Sequence, residues 1–204
     1  MLEYSEKEKI EQYIDKIISG LWRDAKKNID AGMSNREVIE KVINAAVNKF
    51  TPESKMVLSS VYNMLMEGTL TSPLFADAKN KAAFYEMDIL KDINSKFDFD
   101  IPSKIDYEES KAKVNQWVAA GAIITTGGIV SISLSSWLPI GIAVVIAGIM
   151  AILINKNEQK NNQDVSELIR EYYDNIKKSL LAWIEAIEEY YDSKVKALYE
   201  RLGE

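Results

Sequence analysis

The sequence predicts an all-α fold: a helical bundle built around a central hydrophobic helical hairpin, with a long C-terminal amphipathic helix. Three observations predict it. Apolar residues recur at steps of three and four through nearly the whole chain. Capping residues, Gly and Pro punctuate those runs at their ends. Between Val114 and Asn155, about 42 consecutive residues include no Asp, Glu, Lys or Arg. That is twice the ~20 that one bilayer crossing needs. The 204 residues are read as one domain: N-terminal helices over 1–94, a linker over 95–105, the hairpin over 106–155 and the long helix over 164–202.

Ser5-Glu6-Lys7-Glu8 has the form of a capping box. Ile10, Tyr13, Ile14, Ile17, Ile18 and Leu21 then predict a helix to about Ala31, ended by Gly32. Ser34-Asn35-Arg36-Glu37 is a second capping box, followed by Val38, Val42, Ala45 and Ala46. Thr51-Pro52-Glu53 is expected to start a third helix, with Met56, Val57, Ser60, Val61, Met64 and Leu65 inward and Gly68 closing it. Ser72-Pro73 is expected to start a fourth, with Phe75, Ala78, Ala82, Tyr85, Ile89 and Ile93 inward. Ser95–Lys104 mixes Phe97, Phe99 and Ile101 with Asp98, Asp100 and Pro102 and reads as an ordered linker. Its alternation would suit a short strand, but no partner strand is evident. Asp106-Tyr107-Glu108-Glu109 caps the helix that leads into the apolar stretch.

Within that stretch, Ser135-Ser136-Trp137-Leu138-Pro139 is the one place that looks like a turn. Two helices are expected, Val114–Ser135 and Pro139–Asn155, with Pro139 in the first turn of the second. At ~1.5 Å per residue, the arms reach about 33 Å and about 25 Å. Small residues are frequent: Gly121, Gly127 and Gly128 in the first arm, and Gly141, Ala143, Ala147, Gly148 and Ala151 in the second. Such residues let helix backbones approach closely. Trp117 and Trp137 sit near the base and the tip, where interfacial aromatics collect. Lys111 and Lys113 precede the hairpin, and Lys156 and Lys160 follow it, so both flanks favour the same side of a membrane. Thr125, Thr126, Ser133 and Ser136 fall on one arc of the first arm. They form a candidate lumen-facing stripe, or hydroxyls that bond back to helix carbonyls.

After a polar stretch, Lys156–Gln163, one long helix is predicted from about Asp164 to Leu202. Its apolar line is Val165, Leu168, Ile169, Tyr172, Ile176, Leu180, Trp183, Ile187, Tyr191, Val195, Leu198 and Leu202.

Composition excludes several functions. A net charge of −6 disfavours nucleic acid as the main partner. There is no Cys, hence no disulfide and no thiolate chemistry. There is no His, the commonest general base and metal ligand. Glu185, Glu188 and Glu189, beside Tyr190, Asp192 and Lys194, read as a solvated helix face rather than a metal or acid pair. Asp98 and Asp100 lack the Gly and distal Glu of a calcium loop, and Gly127-Gly128 lacks the Lys-Ser/Thr of a phosphate loop. No nucleophile–base pair is evident. An enzyme is not expected, and no cofactor, metal or small-molecule substrate is implied. The charged start of the chain is not a secretory signal, so a route without one is expected to bring the protein to a membrane.

The charge-free hairpin in a single helical domain resembles the pore-forming domain of colicins, and Gly141–Asn157 looks like that family's second hydrophobic helix. Colicin domains stop soon after their hairpin, whereas this chain continues into a long helix. Long helices flanking a hydrophobic hairpin are similar to the haemolysin BL and cytolysin A group of α-helical pore-forming toxins, which are longer proteins. The resemblance implies a soluble helical form that hides the hairpin and then inserts it into a lipid membrane, with a homo-oligomer or partner helical subunits. In water the stripes on Ile14, Val61, Ile89 and Leu180 are then expected to pack on the hairpin. Acid and anionic lipid are expected to favour insertion, because protonating carboxylates makes the net charge positive. A permanently anchored helical scaffold and a soluble interaction protein with a buried hairpin are the alternatives.

Overall fold

The computed structural model describes residues 1–97, 99, 123–124, 130–131 and 162–203. The described residues are helical apart from short connections and one small ladder, so the fold is all-α.

Helix α1 spans Tyr4–Asp30. Its N-cap is Glu3, whose backbone N–H donates to the Glu6 carboxylate at 2.8 Å. The cap therefore lies two residues ahead of the expected Ser5/Glu8 box. Leu2 is the reason: its side chain is buried, and its N–H donates to Glu188 at 2.7 Å, which fixes the chain before Ser5. Gly32, at φ 73°, ends the helix as expected.

Helix α2 runs unbroken from Asn35 to Leu70. Ser34 caps it as expected, accepting from the Glu37 N–H at 3.3 Å while Glu37 accepts from the Ser34 N–H at 3.1 Å. The helix expected to start at Thr51 does not exist as a separate element, because Pro52 lies inside α2. Pro removes one backbone bond and costs about 3 kcal/mol in a helix interior. Against that stands a buried stripe that keeps phase across it: Val38, Val42, Ala46, Phe50, Ser54, Val57, Val61 and Leu65. Met56 and Ser60, expected inward, are exposed. Gly68 does not close the helix, which ends two residues later.

The fourth expected helix is three pieces: a 3-10 turn at Pro73–Ala76, α3 at Ala78–Glu86 and α4 at Ile89–Lys96. Asp77 is extended and caps α3 through the Lys79 N–H at 2.7 Å. Asp88, left-handed at φ 45°, separates α3 from α4. Ala78, Ala82 and Tyr85 are exposed, and the buried residues are Phe75, Phe84, Ile89 and Ile93. Phe84 and Ile89 would lie about 140° apart on a continuous helix. The break lets both turn inward.

Helix α5 spans Asn162–Leu202 without interruption, close to the expected bounds. Its apolar line is buried largely as expected, and Tyr173, Ile184 and Tyr190 are buried as well. Helices α1, α2 and α5 each pack against the other two. Ile14, Val61, Ile89 and Leu180 all belong to this shared core. The long helices thus supply partners for one another's stripes. Polar ties line the seams. Lys177 of α5 reaches Glu11 and Asp15 of α1 at 2.9 and 2.7 Å. The Tyr191 hydroxyl donates to Thr69 of α2 at 2.9 Å. Tyr13, part of the repeat that predicted α1, is partly exposed and bonds Glu53 across the α1–α2 seam.

Four residues of the apolar stretch are described. Strand β1 (Ile123–Ile124) pairs antiparallel with β2 (Val130–Ser131), in the register Ile123↔Ser131 and Ile124↔Val130. The continuous helix expected over Val114–Ser135 is not formed at these residues. Three of the four are β-branched, a residue type that fits a pleated ladder better than a helix. The remainder of the expected hairpin, including the turn at Ser135–Pro139 and the second arm, lies outside the described residues.

Candidate functional site

The residues expected to enter a membrane were Trp117, Gly121, Thr125, Thr126, Gly128, Ser133, Trp137, Pro139, Gly141, Ala147 and Gly148. They and their flanks Lys111, Lys113, Lys156 and Lys160 lie outside the described residues. The structure does describe where that part of the chain leaves and rejoins the helical body.

The departure is built on α4 and the two aromatics that follow it. Ile89 and Ile93 are fully buried. Beyond the helix, the Phe97 ring lies on Tyr190 with centroids 5.5 Å apart, and Phe99 lies on Trp183 at 5.4 Å. Both Phe residues are buried, so the stretch expected to be an ordered linker is anchored at these two positions. A polar network closes the outer side. The Lys194 ammonium is 3.1 Å from the Asp92 carboxylate, and the Tyr190 hydroxyl donates to the same oxygen at 3.0 Å. Lys96 donates to the Tyr190 hydroxyl at 2.9 Å and stands over its ring. The hydrogen bond from Lys194, then that from Tyr190, hold the Asp92 carboxyl below its usual range. The hydrogen bond from Lys194 to Asp92, then that to Tyr190, raise Lys194.

The chain rejoins at Asn162, the first residue of α5. Trp183 is 21 residues further along that helix, or about 32 Å. One continuous helix therefore carries both the last anchor before residues 100–161 and the point of return. On the intervening length, the Tyr172 and Tyr173 hydroxyls and the Trp183 indole N–H are buried without a hydrogen-bond partner among the described residues. Burial pushes both phenols up, out of the physiological range. A buried polar atom left unpaired costs about 1–3 kcal/mol.

The acidic group on α5 needs a correction. Glu185 and Glu189 are exposed, but Glu188 and Tyr190 are buried. Glu188 accepts from the Leu2 N–H and from Lys7 at 2.9 Å, so it ties the start of α1 to α5. An acidic residue at a helical i+3/i+4 position gives no sign of burial until a partner element is placed against it. Among the described residues, no group of three acidic side chains could hold a metal. An open groove of about 400 Å³ between α1 and α2 is lined by Tyr13, Lys16, Gly20, Asp24 and Lys49, and carries no converging nucleophile and base. No helix among the described residues is long and apolar enough to cross a membrane. In comparisons with known proteins, no family model, no curated protein and no solved structure matches this chain.

Proposed function

We propose that this chain is a membrane-inserting helical protein, acting as a pore-forming toxin or toxin component that places the stretch 114–155 in a lipid bilayer. One observation carries the reading: about 42 consecutive residues without a charge, set into a chain that is 27% charged overall. Two uncharged arms in succession are costly to leave in water and are matched by a hydrocarbon phase. The attachment geometry supports it. Phe99, ahead of the stretch, packs on Trp183 of α5, and the chain resumes after it at Asn162, the first residue of α5.

The test is release of dye from sealed vesicles by protein purified without detergent. Release by the intact chain, absent from a variant in which 114–155 is replaced by a Gly/Ser linker, upholds the proposal. Intact vesicles across pH and lipid composition overturn it, and leave a soluble interaction protein.

A second reading is a helical scaffold permanently anchored by the same stretch. The pairwise packing of α1, α2 and α5 favours it, because such a body has a core of its own. The two readings part at purification: a permanent anchor keeps the full chain in the membrane fraction until detergent is added.

A further inference from the structure

We infer that α4 is a hinged latch: it folds back onto α5 about Met87–Asp88, and on opening it joins α3 in one straight helix over 78–96. The inference rests on the membrane reading for its purpose, but its geometry stands apart from it.

The hinge is visible in the backbone. Among the described residues, Asp88 is the one non-glycine with positive φ. The left-handed region brings Cβ against the following carbonyl, a conformation that Asp tolerates only moderately. Asp88 gains no cap in return, since its side chain makes no capping bond to α4. Nothing local demands the break. From Leu74 to Asn94 the chain has no Gly and no Pro, and its residues read as one helix.

The restraint is on the other side. Ile89 and Ile93 are buried, Phe97 lies on Tyr190, and Asp92, Lys96, Tyr190 and Lys194 form the polar clasp. The hinge strain therefore persists because α5 holds α4 in place. Opening would expose Ile89, Ile93 and Phe97. An apolar phase such as a bilayer surface offsets that cost, and water does not. Opening also frees the residues that root the stretch leading to 114–155.

The absence of native Cys allows a direct measurement. Spin labels on Ser95→Cys and Lys196→Cys, both exposed positions on α4 and α5, report the latch. The distance should be short and single in water, and should lengthen on adding vesicles of phosphatidylcholine with phosphatidylglycerol. Two hinge variants should move it in opposite directions. Asp88→Ala favours the straight helix and should raise the open fraction. Asp88→Gly removes the Cβ penalty while disfavouring the helix, and should keep the latch shut. The open-to-closed ratio should differ about tenfold or more between them, with dye release following the same order. Circular dichroism should show both variants folded. Equal distances in the two variants, or a distance indifferent to vesicles, overturns the latch. A distance that responds while vesicles stay sealed upholds the latch and overturns the membrane reading.

Discussion

Helix α2 and the segment 72–96 make an instructive pair. Helix α2 contains a proline and stays whole, whereas the segment from Leu74 to Lys96 contains neither Gly nor Pro and breaks twice. The local signals point the opposite way in each. The difference lies in the phase of the large apolar residues. In α2 they recur every three or four residues from Val38 to Leu65, so one straight helix buries them all. In 72–96 the buried bulky residues are Phe75, Phe84, Ile89 and Ile93, at steps of nine, five and four. No straight helix puts those on one face, and the chain bends at Asp77 and Asp88 so that all four reach the core. Burying a side chain of this size contributes about 1.5–3 kcal/mol, comparable to one proline defect and larger than one left-handed residue.

The strongest way to break this comparison is Phe50→Ala. Phe50 is 1% exposed and sits two residues before Pro52. If burial carries α2 across the proline, the variant should lose about 3–5 kcal/mol in urea unfolding, with amide protection falling around residues 48–54. A loss below 1 kcal/mol would mean that something other than packing holds the helix straight.

The converse is Pro52→Ala. Its ring is at an exposed position, and alanine would restore the missing backbone bond. The melting temperature should rise, with a gain of about 1–3 kcal/mol. A destabilised variant would show that the proline shapes the contact with α1.

Helix ends sharpen the contrast, because local chemistry governs them. Ser34→Ala removes the reciprocal bonds with Glu37 and should cost about 1 kcal/mol, with fraying confined to the first turn of α2. Glu37→Gln should cost less. A loss as large as that of Phe50→Ala would place the cap among the interior determinants.

The smallest effect concerns pH. Lys194 and then Tyr190 lower the folded-state pKa of Asp92. Such a group stabilises the fold above its unfolded-state pKa, and the contribution is lost as pH falls through the folded value. The attachment of α4 should therefore loosen below about pH 4, the ordinary carboxylate range. The distance between labels at Ser95→Cys and Lys196→Cys should lengthen there, and in Asp92→Asn it should already be longer at pH 7. With no His in the chain, a sharp transition near pH 6 would contradict this account.

The sequence by itself determined the helical class, the cap at Ser34, the stop at Gly32 and the span of α5, because each rests on local spacing or backbone geometry. It also determined that one uncharged stretch stands apart from the rest. The tertiary structure decided whether Pro52 and Asp88 sit inside a helix or at its break, which face Met56 and Tyr85 take, and that Glu188 is buried under Leu2 and Lys7. It decided too that the stripes on Ile14, Val61 and Leu180 face one another. A stripe states that a residue needs cover but not which element supplies it. That choice is made by the sum of burial over the whole core, and several kcal/mol of burial outweigh a one-residue backbone preference.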